Sequence, residues 1–201
     1  MNFRTKTIIS FASVLLSIGI TAFPLLTLEW VGLETSLYLM YLLEFILSVG
    51  VVILLYRQPW VLGNKSFFFK CLLLIISIQL LVYMMRESSI QSGQFPFNQA
   101  LPLLLAFFAV PFYEECIYRG CLIDFLRLIF KRNTIMPVVL TSLIFSAMHT
   151  QYSSILDFSV LFAASVIFSV ARLKSGSLLP SIILHSLMNV FVIALNVFIS
   201  K

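Results

Sequence analysis

The sequence predicts an all-α integral membrane protein, a bundle of about seven transmembrane helices with an amphipathic interfacial helix near 120–132. Three observations predict it. Of the 201 residues, 61% are hydrophobic and 10% charged, with a mean hydropathy of +1.06. A soluble domain carries about 25% charged residues and needs them to cover its surface. The apolar residues also fall in seven runs, about 7–28, 36–56, 67–85, 100–118, 134–150, 157–171 and 178–199, separated by short polar loops. A helix of about 20 residues crosses the roughly 30 Å hydrocarbon core. The third observation is where the charges fall.

Taken in order, the first run follows Arg4 and Lys6, as the core of a signal peptide would. It exceeds the usual core of about 7–15 residues and no small-x-small cleavage site follows, so it reads as a retained span. The second carries Glu44 near its middle, and the third begins among Lys65 and Lys70. The fourth ends in Glu114-Glu115-Cys116-Ile117-Tyr118-Arg119, and the amphipathic stretch 120–132 follows it. The fifth and sixth are short for a full crossing, which implies tilt or a thinned bilayer. With the N-terminus inside, ten Lys and Arg fall in the cytoplasmic loops and two, Arg86 and Lys201, outside, with Arg119 intramembrane. This positive-inside asymmetry supports seven spans, the N-terminus in the cytoplasm and the C-terminus outside the plasma membrane. The whole chain, 1–201, reads as one membrane domain: accessory spans in 1–95 and a core carrying the motifs in 96–201.

The net charge of +5 sits in these loops, where it faces lipid headgroups, so nucleic acid is excluded as a partner. The three cysteines, Cys71, Cys116 and Cys121, form no C-x-x-C pair. Cys116 lies within the charged motif but reads as a packing residue rather than a nucleophile.

Ionisable groups inside spans cost about 2.5–3.5 kcal/mol each on insertion scales, and this chain gathers its polar groups in three places. In the first, Glu115 and Arg119 are four residues apart and share a helix face, whereas Glu114 is turned about 100° away. The second is Phe145 to His149; the third is His185 to Asn189, one turn apart on one face. Two carboxylates, two imidazoles and an amide are the parts of a hydrolytic site. A carboxylate takes a proton from water, histidines hold that water directly or through a metal, and donors stabilise the oxyanion. Each piece also has a structural reading: a helix ion pair for Glu115–Arg119, interhelical hydrogen bonds for the histidines and Asn189. No H-E-x-x-H, G-x-S-x-G or Ser-His-Asp arrangement is present.

The three motifs in this order, E-E-x-x-x-R (Glu114, Glu115, Arg119), F-x-x-x-H (Phe145, His149) and H-x-x-x-N (His185, Asn189), resemble those of the CPBP intramembrane proteases, also called the Abi or CAAX-protease family. That family includes the type II CAAX prenyl endopeptidases. Arg119-Gly120 and the stretch Gly176 to Ile182 are similar too, and the resemblance covers about residues 95–192. It implies an integral membrane endopeptidase acting on a peptide or membrane-associated protein. Glu114 or Glu115 would activate water, His149 and His185 would bind that water or a metal, Asn189 would help hold the oxyanion, and Arg119 would orient the carboxylates. One Zn²⁺ or other divalent ion on Glu115, His149 and His185 fits the resemblance, as does a metal-free mechanism. Bacterial members are associated with bacteriocin self-immunity and peptide maturation.

Two further readings stay open at this stage. One is a non-enzymatic immunity or scaffold protein that binds a peptide partner in the same pocket; the other is a small transporter with buried charges on a proton path. The substrate, the metal, the choice of glutamate and the oligomeric state are not legible. Nor do the expected depths agree. Glu115 and His185 fall toward the cytoplasmic side, while His149 lies about 15 residues, roughly 22 Å, into span five. A tilted fifth span, one that begins outside the hydrocarbon, or a watery cavity is therefore expected. Glu44 either lines that cavity, pairs with Arg119 or packs between helices.

Overall fold

The computed structural model describes residues 3–57, 60–85, 100–152 and 154–198, and every element among them is helical. Helix α1 (Phe3–Thr21) continues with little interruption into α2 (Phe23–Val31), and Gly32, at φ 79°, turns the chain into α3 (Leu33–Leu55). Helix α4 is Lys65–Met85; α5 is the long composite helix Leu101–Ile129. Helices α6 (Ile135–Met148), α7 (Ile155–Ser175) and α8 (Leu179–Phe198) complete the bundle. Gly176, in the left-handed region at φ 73°, closes α7 by donating its N–H to the Arg172 carbonyl.

Five helical stretches are long and apolar enough to cross a bilayer: Arg4–Val31, Leu33–Leu55, Lys65–Met85, Leu101–Ile129 and Ile155–Ser175. Ile135–Met148 and Leu179–Leu195 are shorter apolar helices that coincide with the fifth and seventh apolar runs. The sixth run, expected to be short, is part of a 21-residue helix. The polar stretch from Arg86 to Asn98 and the terminal Lys201 lie outside the described residues.

The sidedness of the helices is that of a membrane protein. Leu16, Leu25, Leu73, Leu81 and Phe108 point outward, whereas Ser17, Ser48, Ser142, Ser165 and Ser181 are buried between helices. Small side chains let helix backbones approach where lipid, not water, is outside. The chain is a multi-pass, all-helical membrane protein.

Two apolar clusters flank the middle of α5. One joins Phe68, Cys71 and Ile75 of α4 to Ala164, Phe168 and Ala171 of α7 and Leu184 and Met188 of α8. The other joins Val51 and Tyr56, at the end of α3, to Cys116, Cys121 and Leu178. Cys116 is fully buried in this second cluster, as a packing residue would be.

Helix α5 differs from the sequence expectation in its length. Span four was drawn to end at 118, with an interfacial helix after it, but the helix runs unbroken to Ile129. Gly120 does not stop it, because the missing Cβ is what lets the Tyr56 ring lie against the helix: a Cβ there would sit 3.1 Å from that ring. Asp124, which lowers the hydropathy after 118, is satisfied at the end of the bundle. Asp124 accepts from the Tyr56 hydroxyl at 3.1 Å and pairs with Lys6 at 3.1 Å and Arg172 at 3.5 Å.

This length also removes the mismatch in depth. Glu115 is not near the end of its helix but at the centre of a 29-residue one, about 21 Å from either end at 1.5 Å per residue. His149, at the C-terminal end of α6, reaches the same level, 3.9 Å from the adjacent Glu114.

Candidate active site

Glu114 and Glu115 stand where α5 passes from α-helical to π-helical turns; Glu115–Leu122 is a π segment. Such widened turns recur at functional sites. Arg119, one turn on, is fully buried and donates from Nη1 to Glu115 Oε1 at 2.9 Å. The same oxygen accepts from His185 Nδ1, also at 2.9 Å. A carboxylate only accepts, so His185 carries a proton on Nδ1, and in the neutral ring Nε2 is the bare nitrogen. That Nε2 lies 3.8 Å from Glu114 Oε2. Neighbouring glutamates thus reach two edges of one imidazole, although the sequence expectation turned Glu114 away. The ring of His185 enters between them.

His149 arrives differently. It is the residue at which α6 ends, with φ −89° and ψ 59°. Its Nδ1 lies 2.8 Å from the Phe145 carbonyl, one of the orphan acceptors at a helix C-terminus. A carbonyl only accepts, so Nδ1 again holds the proton and Nε2 is bare. It faces Glu114 Oε1 at 3.9 Å. Glu114 is therefore held by no direct hydrogen bond to either histidine but confronts two imidazole lone pairs. Its Oε2, like Glu115 Oε2, is buried without a hydrogen-bond partner.

Aromatic rings fix this arrangement. Phe145 lies 4.4 Å from the His149 ring, 5.2 Å edge-on to Tyr118 and 6.2 Å from His185, with the Arg119 guanidinium 4.2 Å above it. Phe168 stacks on His185 at 5.1 Å and lies 5.2 Å from the same guanidinium. A buried cation held against ring faces keeps part of what it loses on leaving water. Phe168 carried no signal in the sequence, because it lies in an apolar run among residues of the same kind.

Asn189 does not join the Glu–His group. Its Nδ2 donates to the Ala106 carbonyl at 2.8 Å. Ala106 lies in a π segment, Leu105–Ala109, where Val110 donates to Leu105 rather than to Ala106. The next residue that could serve Ala106 in π register is Pro111, which has no N–H. The Ala106 carbonyl is thus orphaned in both registers, and Asn189 fills the vacancy. Glu44, at the centre of α3, does not pair with Arg119: it is fully buried and accepts from Ser17 of α1 at 2.8 Å.

The donor set fits a bridging water better than a metal. Tetrahedral zinc with ligands at about 2.1 Å holds its donors about 3.4 Å apart, less than the 3.8 and 3.9 Å found here. Two hydrogen bonds of about 2.8 Å meeting near a right angle span about 4 Å. Glu115, expected as a ligand, is occupied by Arg119 and His185. Among the described residues, no three His, Cys, Asp or Glu side chains gather closely enough to hold a metal ion. As placed, Glu114, His149 and His185 stand wider apart than zinc would hold them.

Fold and site together define a multi-pass membrane protein with a buried carboxylate–imidazole group. Residues 96–191, just under half of the chain, match the family model described as Type II CAAX prenyl endopeptidase Rce1-like. In that part of the chain, which builds the site, the match makes the protein similar to the CPBP, or CAAX-protease, family. An uncharacterized 24.3 kDa protein of Escherichia coli is 38% identical over 85 residues, which are 42% of this chain and 39% of that protein. No solved structure matches the chain.

Proposed function

We propose that this protein is an intramembrane endopeptidase that hydrolyses a peptide bond in a peptide or membrane-associated protein, with Glu114 as the general base. One observation carries the choice of glutamate. Glu114 faces two bare Nε2 atoms at 3.8 and 3.9 Å, whereas Glu115 Oε1 already accepts from Arg119 and His185.

In this reading a water lies between Glu114 and the two imidazoles, donating to Glu114. Glu114 takes its proton as the oxygen attacks the substrate carbonyl, then returns that proton to the leaving amine. Glu115 and Arg119 hold His185 in the Nδ1–H tautomer, and the Phe145 carbonyl does the same for His149. Asn189, anchored through one N–H to Ala106, has a second N–H for the oxyanion. Seven crossings, with the N-terminus in the cytoplasm and the C-terminus outside, complete the proposal.

The test is cleavage of a peptide library by purified protein in detergent. Glu114→Gln should lower the rate about 10²–10⁴-fold, and His149→Ala and His185→Ala should also abolish cleavage, with insertion and elution profile unchanged. Cleavage by Glu114→Gln at the wild-type rate would overturn the assignment.

A further inference from the structure

The end of the bundle away from α2 holds a second polar site. The start of α1, the end of α5, the start of α6 and the end of α7 enclose a cavity of about 460 Å³. Lys6, Arg127, Lys131 and Arg172 line it, against a single carboxylate, Asp124, with Asn133 at its rim. We propose that this cavity binds a phosphate-bearing anion, such as the headgroup of an anionic lipid.

Charge balance is the first argument. Asp124 is already engaged by Lys6, Arg172 and the Tyr56 hydroxyl. Arg127 and Lys131 have no anionic partner among the described residues, yet both face this cavity. Four cations against one carboxylate leave an excess of positive charge inside a concave surface, where the field is focused. Arg172 supplies the second argument. It is only 7% exposed, and its Nε is buried without a hydrogen-bond partner although the residue lines the cavity. A buried guanidinium N–H left open beside a polar cavity calls for an acceptor, and guanidinium matches phosphate oxygens in geometry.

Position supplies the third. The cavity opens where four of the basic residues of the chain converge at one end of the helices, the level at which lipid phosphates lie. Its volume admits a phosphate together with a glycerol-sized group. The same chemistry is offered by a lipid headgroup and by a soluble phosphate ester, and the two differ in whether acyl chains are needed.

The experiment is a thermal-shift titration of the full chain in neutral detergent with phosphatidylglycerol, phosphatidylcholine or glycerol 3-phosphate. Phosphatidylglycerol should raise the Tm by several degrees and phosphatidylcholine should not; an equal shift with glycerol 3-phosphate would assign the site to a soluble ester. The double variant Arg127→Ala/Lys131→Ala, which removes two exposed and unpaired side chains, should weaken binding about tenfold. Arg57→Ala/Arg132→Ala removes the same charge outside the cavity and should bind as wild type; Arg127→Lys/Lys131→Arg should retain binding. No shift with any anion, or equal loss in the two charge-removal doubles, would overturn the proposal.

Discussion

Glu114 and Glu115 are adjacent and chemically identical, yet their surroundings separate them. Glu115 Oε1 takes two charged or polar donors at 2.9 Å each, which fixes it as the acceptor that orients His185. Glu114 keeps its oxygens toward the two free imidazole nitrogens. The sequence supplied the inventory of these residues but not the division of labour. A helical wheel shows which residues share a face and says nothing of an imidazole from another helix entering between two faces. Phe168 shows the same limit. Its ring lies against both His185 and Arg119, so Phe168→Ala should loosen both and lower cleavage about 10–100-fold, as losing support of an active group does. Phe168→Tyr keeps the ring and should retain most activity; measuring both rates against the unchanged insertion of each variant separates positioning from folding. The spacing of the donors makes a further prediction at this scale. Because they stand wider than zinc would hold them, prolonged dialysis against a strong chelator should leave cleavage within about twofold of the untreated rate. Loss of activity that returns on adding zinc would refute the metal-free reading.

At the scale of the helix, α5 decides the site through two π segments and one proline. Neither π segment was legible, because the i→i+5 register follows from tertiary demand and has no period in the residue pattern. The first leaves the Ala106 carbonyl without a helical partner, since Val110 donates to Leu105 and Pro111 cannot donate. The sequence pointed to Asn189 through its position one turn after His185, and the structure shows its amide donating to this carbonyl. Asn189→Ala should therefore leave a backbone acceptor unpaired between helices and cost about 1–3 kcal/mol. In a Pro111→Ala background residue 111 regains an N–H, which offers Ala106 a partner within its own helix. The cost of Asn189→Ala should then be smaller, a coupling visible in a double-mutant cycle of denaturation midpoints. Equal costs in both backgrounds would show that the amide does not serve that carbonyl.

At the scale of the molecule, the length of apolar runs misplaced one helix end, and the alternation of charge grouped side chains that the structure also brings together. Run length ended span four at 118 because hydropathy falls where Asp124 and Arg127 begin, whereas the helix continues to Ile129 and Asp124 meets its partners at the bundle's end. Charge alternation grouped Lys6, Arg127, Lys131 and Arg172 on one side, and they do surround one cavity. The loops before α3 and after α6 belong, by the same alternation, to the opposite side. This makes sidedness open to measurement. The native cysteines Cys71, Cys116 and Cys121 are all buried and free, so they give little background to a membrane-impermeant thiol reagent. Glu34→Cys should label in intact cells, and Asn133→Cys only after the membrane is opened; both positions are exposed. The alternation places the basic end inside because Lys and Arg resist translocation. Labelling of Asn133→Cys from outside, with Glu34→Cys protected, would invert the molecule. The cation-lined cavity would then face the outer leaflet, and a substrate reaching Glu114 from the Lys6 end would have to come from outside the cell.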